Sequence, residues 1–92
     1  MMYATKIKMQ QGCYNSQSLL EIDSVYIEGC TNPGFFKKAT LHNYLKDNPG
    51  TIKVKIAPYP EVIPATSPRG EKYVKSAPND HTYDNLLDLP RE

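Results

Sequence analysis

Two cysteines and two histidines are the residues of this chain best suited to chemistry, because together they could hold a metal ion. A structural zinc site needs about four Cys, His or carboxylate ligands, usually with two of them separated by about two to five residues. The four candidates are Cys13, Cys30, His42 and His81, and no two of them have this spacing. The pattern therefore favours ordinary thiols and histidines, and we expect no metal and no cofactor.

The same residue types could form a Cys–His catalytic pair, in which a histidine accepts the thiol proton. A reactive thiol usually lies at a helix N-terminus or beside a cation, where its pKa falls. Neither Cys13 nor Cys30 opens a predicted helix. His42 flanks the apolar stripe of the predicted helix, which is typical of a surface histidine. We therefore predict no catalytic residue and expect that the chain is not an enzyme.

Two further chemical patterns are weak. Glu21 and Asp23 would share one face of a strand, because side chains repeat every second residue. Such a carboxylate pair is usually solvated, and general acid–base chemistry would also need a pocket. The five glycines are scattered along the chain rather than gathered in a phosphate-binding loop.

Four lysines form a regular basic pattern. Lys6 and Lys8 share one face of a predicted strand, and Lys53 and Lys55 share one face of another. If these strands pair, the four ammonium groups form a candidate binding face, where nearby tyrosines could stack nucleic-acid bases. Lysine is also a normal solvent-facing residue that protects strand edges, and the aromatic motif of RNA-binding sheets is absent. Nucleic acid is therefore the disfavoured partner.

Four strands would position most of these residues. Alternation of apolar and polar residues predicts strands over 3–9, 52–56 and 71–75, and β-branched residues predict another over 19–28, either bulged or fully buried. In the first strand, the side expected to face the core holds Tyr3, Thr5, Ile7 and Met9, and the opposite side holds Ala4 with the lysines. Pro58, Pro60 and Pro64 exclude a central strand across 58–64, and Ser67–Gly70 has the pattern of a type I turn.

One short helix is predicted between the second and third strands. Its apolar stripe is Leu41, Tyr44 and Leu45, and Thr40 is placed to cap its N-terminus. It must end by about Asp47, because Asn48-Pro49-Gly50 follows. Near the C-terminus, we expect Leu86, Leu87 and Leu89 to dock on the domain, because a free tail would expose a sizeable apolar patch.

The order β-β-α-β-β predicts an α+β fold with a small, mostly antiparallel sheet, one short helix packed on it and an apolar C-terminal tail. The chain has 92 residues, so we expect 1–92 to be a single small domain. The formal net charge is +1. No apolar run approaches the ~20 residues of a membrane span, and the N-terminus lacks the apolar stretch of a signal peptide. We therefore expect a cytoplasmic protein with reduced cysteines and no membrane partner.

Three stretches resemble a known family: TLHNYL at 40–45, KYVKS at 72–76 and DNLLDLP at 84–90. The chain is similar over most of its length to the short bacterial and phage proteins of domain-of-unknown-function family number 3892. Members commonly close with Asn-Leu-Leu-x-Leu-Pro shortly after a tyrosine-containing strand. The resemblance implies a compact domain and a bacterial or phage setting, and it brings no activity and no site residue.

A non-enzymatic protein-binding module is the function that these observations favour. Small size, seven tyrosines and proline-shaped loops suit that role, since tyrosine is common in protein interfaces. A phage-type inhibitor or accessory protein is one version of it. The alternative is a nucleic-acid-binding domain that uses Lys6, Lys8, Lys53 and Lys55. The identity of the partner and the oligomeric state stay open.

Overall fold

One α-helix and six strands make up the described part of the fold, which confirms the predicted α+β class. The computed structural model describes residues 2–57, 59–77 and 84–92. Within them the elements are β1 Met2–Met9, β2 Ile22–Glu28, β3 Gly34–Lys37, α1 Lys38–Asp47, β4 Ile52–Val54, β5 Val62–Thr66 and β6 Lys72–Ser76. Short 3₁₀ helices cover Leu19–Glu21 and Asn85–Asp88. The four predicted strands are present, and β3 and β5 are additional.

The larger sheet is mixed, with the strand order β3-β2-β1-β4. The β1–β2 and β2–β3 pairs are antiparallel, whereas β1 and β4 run parallel, with Tyr3 beside Lys53. The parallel pair arises because α1 carries the chain from β3 back to the end of the sheet where β1 begins. Strands β5 and β6 form a separate antiparallel hairpin, closed by the predicted turn, in which Gly70 N donates to Ser67 O at 2.9 Å.

A bulge in β1 changes which side chains face the core. Ala4 and Lys6 pair with consecutive residues of β2, so Thr5 is an extra residue in β1. Ala4 and Ile7 are both fully buried, and Tyr3 lies on the outer side of the sheet, under the Lys55 ammonium. The strict alternation predicted for this strand is therefore wrong before the bulge, since one inserted residue reverses the orientation of every side chain that precedes it.

Strand β2 contains the second bulge. Ile22 pairs with Met9 and Ser24 with Lys8, so Asp23 is the extra residue. The strand starts at Ile22 because the three residues before it form a 3₁₀ helix. A bulge, rather than full burial on both faces, explains the imperfect alternation of this segment.

Helix α1 starts immediately after β3 and two residues before the predicted cap. Its N-cap position is Lys37, whose side chain makes no capping hydrogen bond, so the role predicted for Thr40 is wrong. Because β3 runs directly into the helix, the first turn is set by the end of the strand. The helix ends at Asp47, as predicted, where Asn48 N donates to Tyr44 O at 2.9 Å.

The inner side of the larger sheet, α1, the β5–β6 hairpin and the C-terminal segment share one apolar core. Its buried members are Ala4, Ile7, Met9, Ile22, Val25, Ile27, Leu41, Leu45, Ile52, Val54, Val62, Val74, Leu86, Leu87 and Leu89. Because all three tail leucines belong to this set, the predicted docking of the tail is confirmed.

Backbone hydrogen bonds fasten the tail as well. Ile7 N donates to Pro90 O at 2.9 Å, and Glu92 N donates to Ile7 O at 3.0 Å. The tail thus continues the sheet beside β1, past the end of β4. The Asp84 carboxylate accepts hydrogen bonds from Leu86 N at 2.9 Å and Ser76 N at 3.0 Å, which caps the 3₁₀ helix and ties it to β6.

We predict that Leu86→Ala destabilises the fold by about 2–5 kcal/mol, because it removes a fully buried side chain and leaves a cavity. The melting temperature should fall by at least about 8 °C for a chain of this size. Asp88→Ala, an exposed position in the same 3₁₀ helix, is the control and should stay within about 0.5 kcal/mol. Equal melting curves for the two variants would show that the tail does not support the fold.

Candidate functional site

The structure does not bring Cys13, Cys30 and His42 together as metal ligands. Cys13 follows β1 and Cys30 follows the antiparallel β2, so these unpaired thiols lie at opposite ends of the sheet. Among residues 2–57, 59–77 and 84–92, no three His, Cys, Asp or Glu side chains are placed to hold a metal ion. His81 lies outside these residues, and the expectation of no metal stays a prediction.

His42 is a buried residue, and the surface position predicted for it is wrong. Its side chain is 7 % exposed, and its Nδ1 lies 3.1 Å from Tyr73 O in β6. The reason is that the β5–β6 hairpin packs against this flank of α1, which a helical pattern alone does not reveal. The contact with the β6 backbone makes His42 a link between helix and hairpin.

Glu21 and Asp23 do not form the pair that a shared strand face predicts. Glu21 belongs to the 3₁₀ helix, where its carboxylate accepts hydrogen bonds from the Cys13 thiol at 2.8 Å and from the Ser16 hydroxyl. Asp23, the bulge residue, instead binds the Lys37 ammonium at 2.9 Å. The two carboxylates therefore have separate partners, because the helix and the bulge break the two-residue period between them.

The hydrogen bond between Cys13 and Glu21 makes the thiol less reactive. It raises the pKa of Cys13, since the carboxylate stabilises the protonated thiol, and burial adds to the effect. The same bond, with that from Ser16, lowers the pKa of Glu21. A nucleophilic cysteine needs the opposite shift, so this geometry suits a structural thiol.

Arg91 fastens the loop that carries Cys13. Its guanidinium donates to Tyr14 O and Ser16 O, each at 2.7 Å, and to Leu87 O at 3.1 Å. The loop after β1 is thereby joined to the C-terminal tail.

An apolar cleft of about 320 Å³ lies between α1 and the end of the sheet where β4 begins. Its walls include Met2, Ile27, Phe36, Leu41 and Ile52, together with Cys30. The volume is at the lower limit for small-molecule sites. The described residues that line the cleft include no carboxylate, lysine or histidine, the side chains that serve most often in general acid–base catalysis.

The predicted lysine face has the geometry that the sequence analysis required. Strands β1 and β4 are neighbours, and Lys53 pairs with Tyr3 on the outer side of the sheet. Lys6 and Lys8 point to the same side from β1, and the Lys55 ammonium lies 5.0 Å from the Tyr3 ring centroid. The structure thus brings all four lysines to one side. We call this side the outer face, since the core fills the other.

Four aromatic rings of the described residues share the outer face, and the sequence analysis did not find them. The Tyr26 and Phe35 ring centroids are 5.1 Å apart, and those of Tyr3 and Tyr59 are 6.5 Å apart, both edge to face. The Lys6 ammonium lies 5.0 Å from the Tyr26 ring centroid. Alternating ammonium groups and rings of this kind interact favourably by about 0.5–1 kcal/mol per exposed pair.

Tyr59 reaches this position through an unusual backbone. Its φ of +59° makes it the one non-glycine with a left-handed backbone in the described part of the chain. Such a conformation costs on the order of 1–3 kcal/mol. It is held by the bond from Tyr59 N to Ile56 O at 2.7 Å, and it leaves the ring 49 % exposed beside Tyr3. The sequence signal for this backbone was the surrounding proline-rich segment, which indicates an irregular, turn-rich path of the chain.

The charges of the outer face are nearly balanced. Lys6 pairs with Glu92 at 3.3 Å and Lys37 with Asp23 at 2.9 Å, and Lys37 lowers the pKa of Asp23. Both lysines in these pairs are well exposed, so the pairs are worth little and exchange readily. Lys8, Lys53 and Lys55 make no ion pair with any described residue. The accessible positive charge is therefore concentrated along β4 and the end of β1.

We predict that Glu21→Gln lowers the pH at which Cys13 becomes alkylated by iodoacetamide. The carboxylate holds the proton on the thiol, so its removal lets the thiolate form at lower pH. The rate at each cysteine can be followed by peptide mass spectrometry across the alkaline range. Cys30, which contacts Ile27 O instead, is the internal control and should keep its profile. Superimposable Cys13 profiles in the two proteins would contradict the proposed hydrogen bond.

A comparison with known sequence families gives a match over most of the chain. No helix in the described ranges is long and apolar enough to cross a membrane. No curated protein and no solved structure has significant similarity to the chain. The sequence model of the family described as "Protein of unknown function (DUF3892)" matches residues 5–90, from within β1 through α1 to Pro90 in the C-terminal tail. The chain belongs to this family.

Proposed function

We propose that this protein is a non-enzymatic binding module that takes single-stranded nucleic acid on the outer face of its larger sheet. The observation that carries the proposal is the interleaving of four rings with lysine ammonium groups on a side of the sheet that the core does not occupy. Single-strand binding commonly combines such parts, because rings stack on bases while cations meet the backbone phosphates.

The rings rather than the charges would supply most of the affinity. The outer face carries Lys6, Lys8, Lys37, Lys53 and Lys55, and the carboxylates on or beside it are Asp23, Glu28, Glu61 and Glu92. Each lysine that meets a phosphate contributes only about 0.7 to the salt slope on a single strand, so the few lysines of the face gain little from counterion release. We therefore expect weak binding with a shallow salt dependence, in the range of about 10⁻⁴–10⁻⁶ M at physiological salt.

A protein partner is the second candidate, and the near balance of charge on the outer face favours it. Mixed charge with exposed aromatic rings is common at protein interfaces, in which tyrosine and phenylalanine are enriched. Phe35 and Tyr59 are the most exposed rings of the face, at 36 % and 49 %. An acidic protein surface would use the same lysines, mainly to accelerate association.

We predict that Lys53→Gln/Lys55→Gln weakens binding of an eight-residue oligothymidylate and reduces the slope of log affinity against log salt. Each lost phosphate contact removes about 0.7 from that slope on a single strand, so the double variant should lose up to about 1.4. Binding is measured by NMR titration of the labelled protein at several salt concentrations, which also identifies the residues that shift.

The matched control is Lys46→Gln/Lys72→Gln, which removes the same charge from exposed positions on α1 and β6. It should leave both the affinity and the slope unchanged. Equal losses in the two double variants would mean that only net charge matters, and the outer face would not be the site. If no oligonucleotide shifts any resonance at millimolar concentration, the nucleic-acid proposal is wrong and the protein-partner candidate takes its place.

A further inference from the structure

The four rings of the outer face form one row that crosses the sheet. Phe35 in β3 contacts Tyr26 in β2, and Tyr3 in β1 contacts Tyr59, which follows β4. Tyr3 pairs with Glu28, two residues beyond Tyr26, so Tyr3 and Tyr26 are diagonal neighbours on β1 and β2. The row therefore runs from Phe35 through Tyr26 and Tyr3 to Tyr59, from one edge strand of the sheet to the other.

The placement of the end rings excludes a continuous stack of bases. Phe35 lies in β3 and Tyr59 follows β4, and these two strands are the edges of the sheet. Within each ring pair the two rings are nearly perpendicular, at 82° and 71°, so bases lying flat on neighbouring rings cannot be parallel to each other. Bases at this site must therefore be unstacked from one another, which an extended single strand permits. A duplex would meet the face with its phosphates alone.

The rings of the row differ in what already covers them. Lysine ammonium groups lie over the two inner rings, Tyr26 and Tyr3, each at 5.0 Å. The two end rings have no ammonium over them in the described part of the chain, and they are the more exposed ones. This arrangement places ring surface for bases at both ends of the row and positive charge for phosphates between them.

On these grounds, and resting on the proposed function, we infer that the site takes an extended single strand about four nucleotides long, with its outer bases on Phe35 and Tyr59. Its inner phosphates lie at Lys6 and Lys55. Because a base that stacks on a ring face needs no hydrogen bond to its edge, the site should accept any base sequence.

The first test is a length series of oligothymidylates of two, four, six and eight residues, titrated by NMR into the intact protein. Each base that stacks on a ring adds to the affinity, so we expect the dissociation constant to fall at least about five-fold from the dimer to the tetramer. Beyond the tetramer the gain should be less than about two-fold per step. An abasic phosphodiester tetramer, which has the charge without the bases, should bind at least about five-fold more weakly than the thymidine tetramer.

The second test compares Phe35→Leu and Tyr59→Leu with Tyr44→Leu, an exposed tyrosine on α1 that lies away from the outer face. Each end-ring variant should weaken binding of the thymidine tetramer by about five-fold or more. Tyr44→Leu should not change it. Because all three side chains are well exposed, their loss should leave the fold intact, and melting curves check this.

The results separate this inference from the function on which it rests. If the dimer binds as well as the octamer, or the abasic tetramer as well as the thymidine tetramer, the four-nucleotide row is wrong while single-strand binding stands. If a duplex binds as tightly as the single strand, the ring contacts are likewise wrong. If none of these oligonucleotides binds, both the row and the proposed function fail.

Discussion

The bulge at Thr5 is the constraint on which the rest of the structure depends. Strand β1 is central and must place Ala4 and Ile7 in the core, although three positions separate them. One extra residue resolves this and turns Tyr3 and Lys6 to the outer face together. The Thr5 hydroxyl is buried and, among the described residues, without a hydrogen-bond partner, which costs on the order of 1–3 kcal/mol. The fold tolerates that cost because the bulge sets which side chains of β1 face the core and which lie on the outer face.

The second determinant of the fold is the C-terminal tail. Asp84 caps a 3₁₀ helix and holds β6, the leucines complete the core, and the backbone around Pro90 pairs with β1. Arg91 then ties the tail to the loop after β1. The tail therefore completes the fold through both packing and hydrogen bonds.

The side chains that could take part in a reaction have structural roles too. Glu21 takes the thiol proton of Cys13 into a hydrogen bond, and His42 contacts the backbone of β6 from within the core. The exposed and unusual features lie instead on the outer face, where a tyrosine keeps a left-handed backbone and lysines lie over rings. Strain of this kind is generally retained where the side chain has a use, which is why the outer face, and not the thiols, carries the functional proposal.

The local pattern of the sequence was sufficient for the α+β class, for four strands, for the end of the helix at Asp47 and for the docking of the tail leucines, because periodicity, proline and apolar clusters act over a few residues. It also identified the four lysines, although not that β1 and β4 are neighbours. Only the tertiary structure decided that pairing, the bulge that exposes Tyr3, the burial of His42 and the row of rings from β3 to Tyr59. Each of these depends on residues far apart in the chain, and no local signal records which distant strand or hairpin a residue will meet.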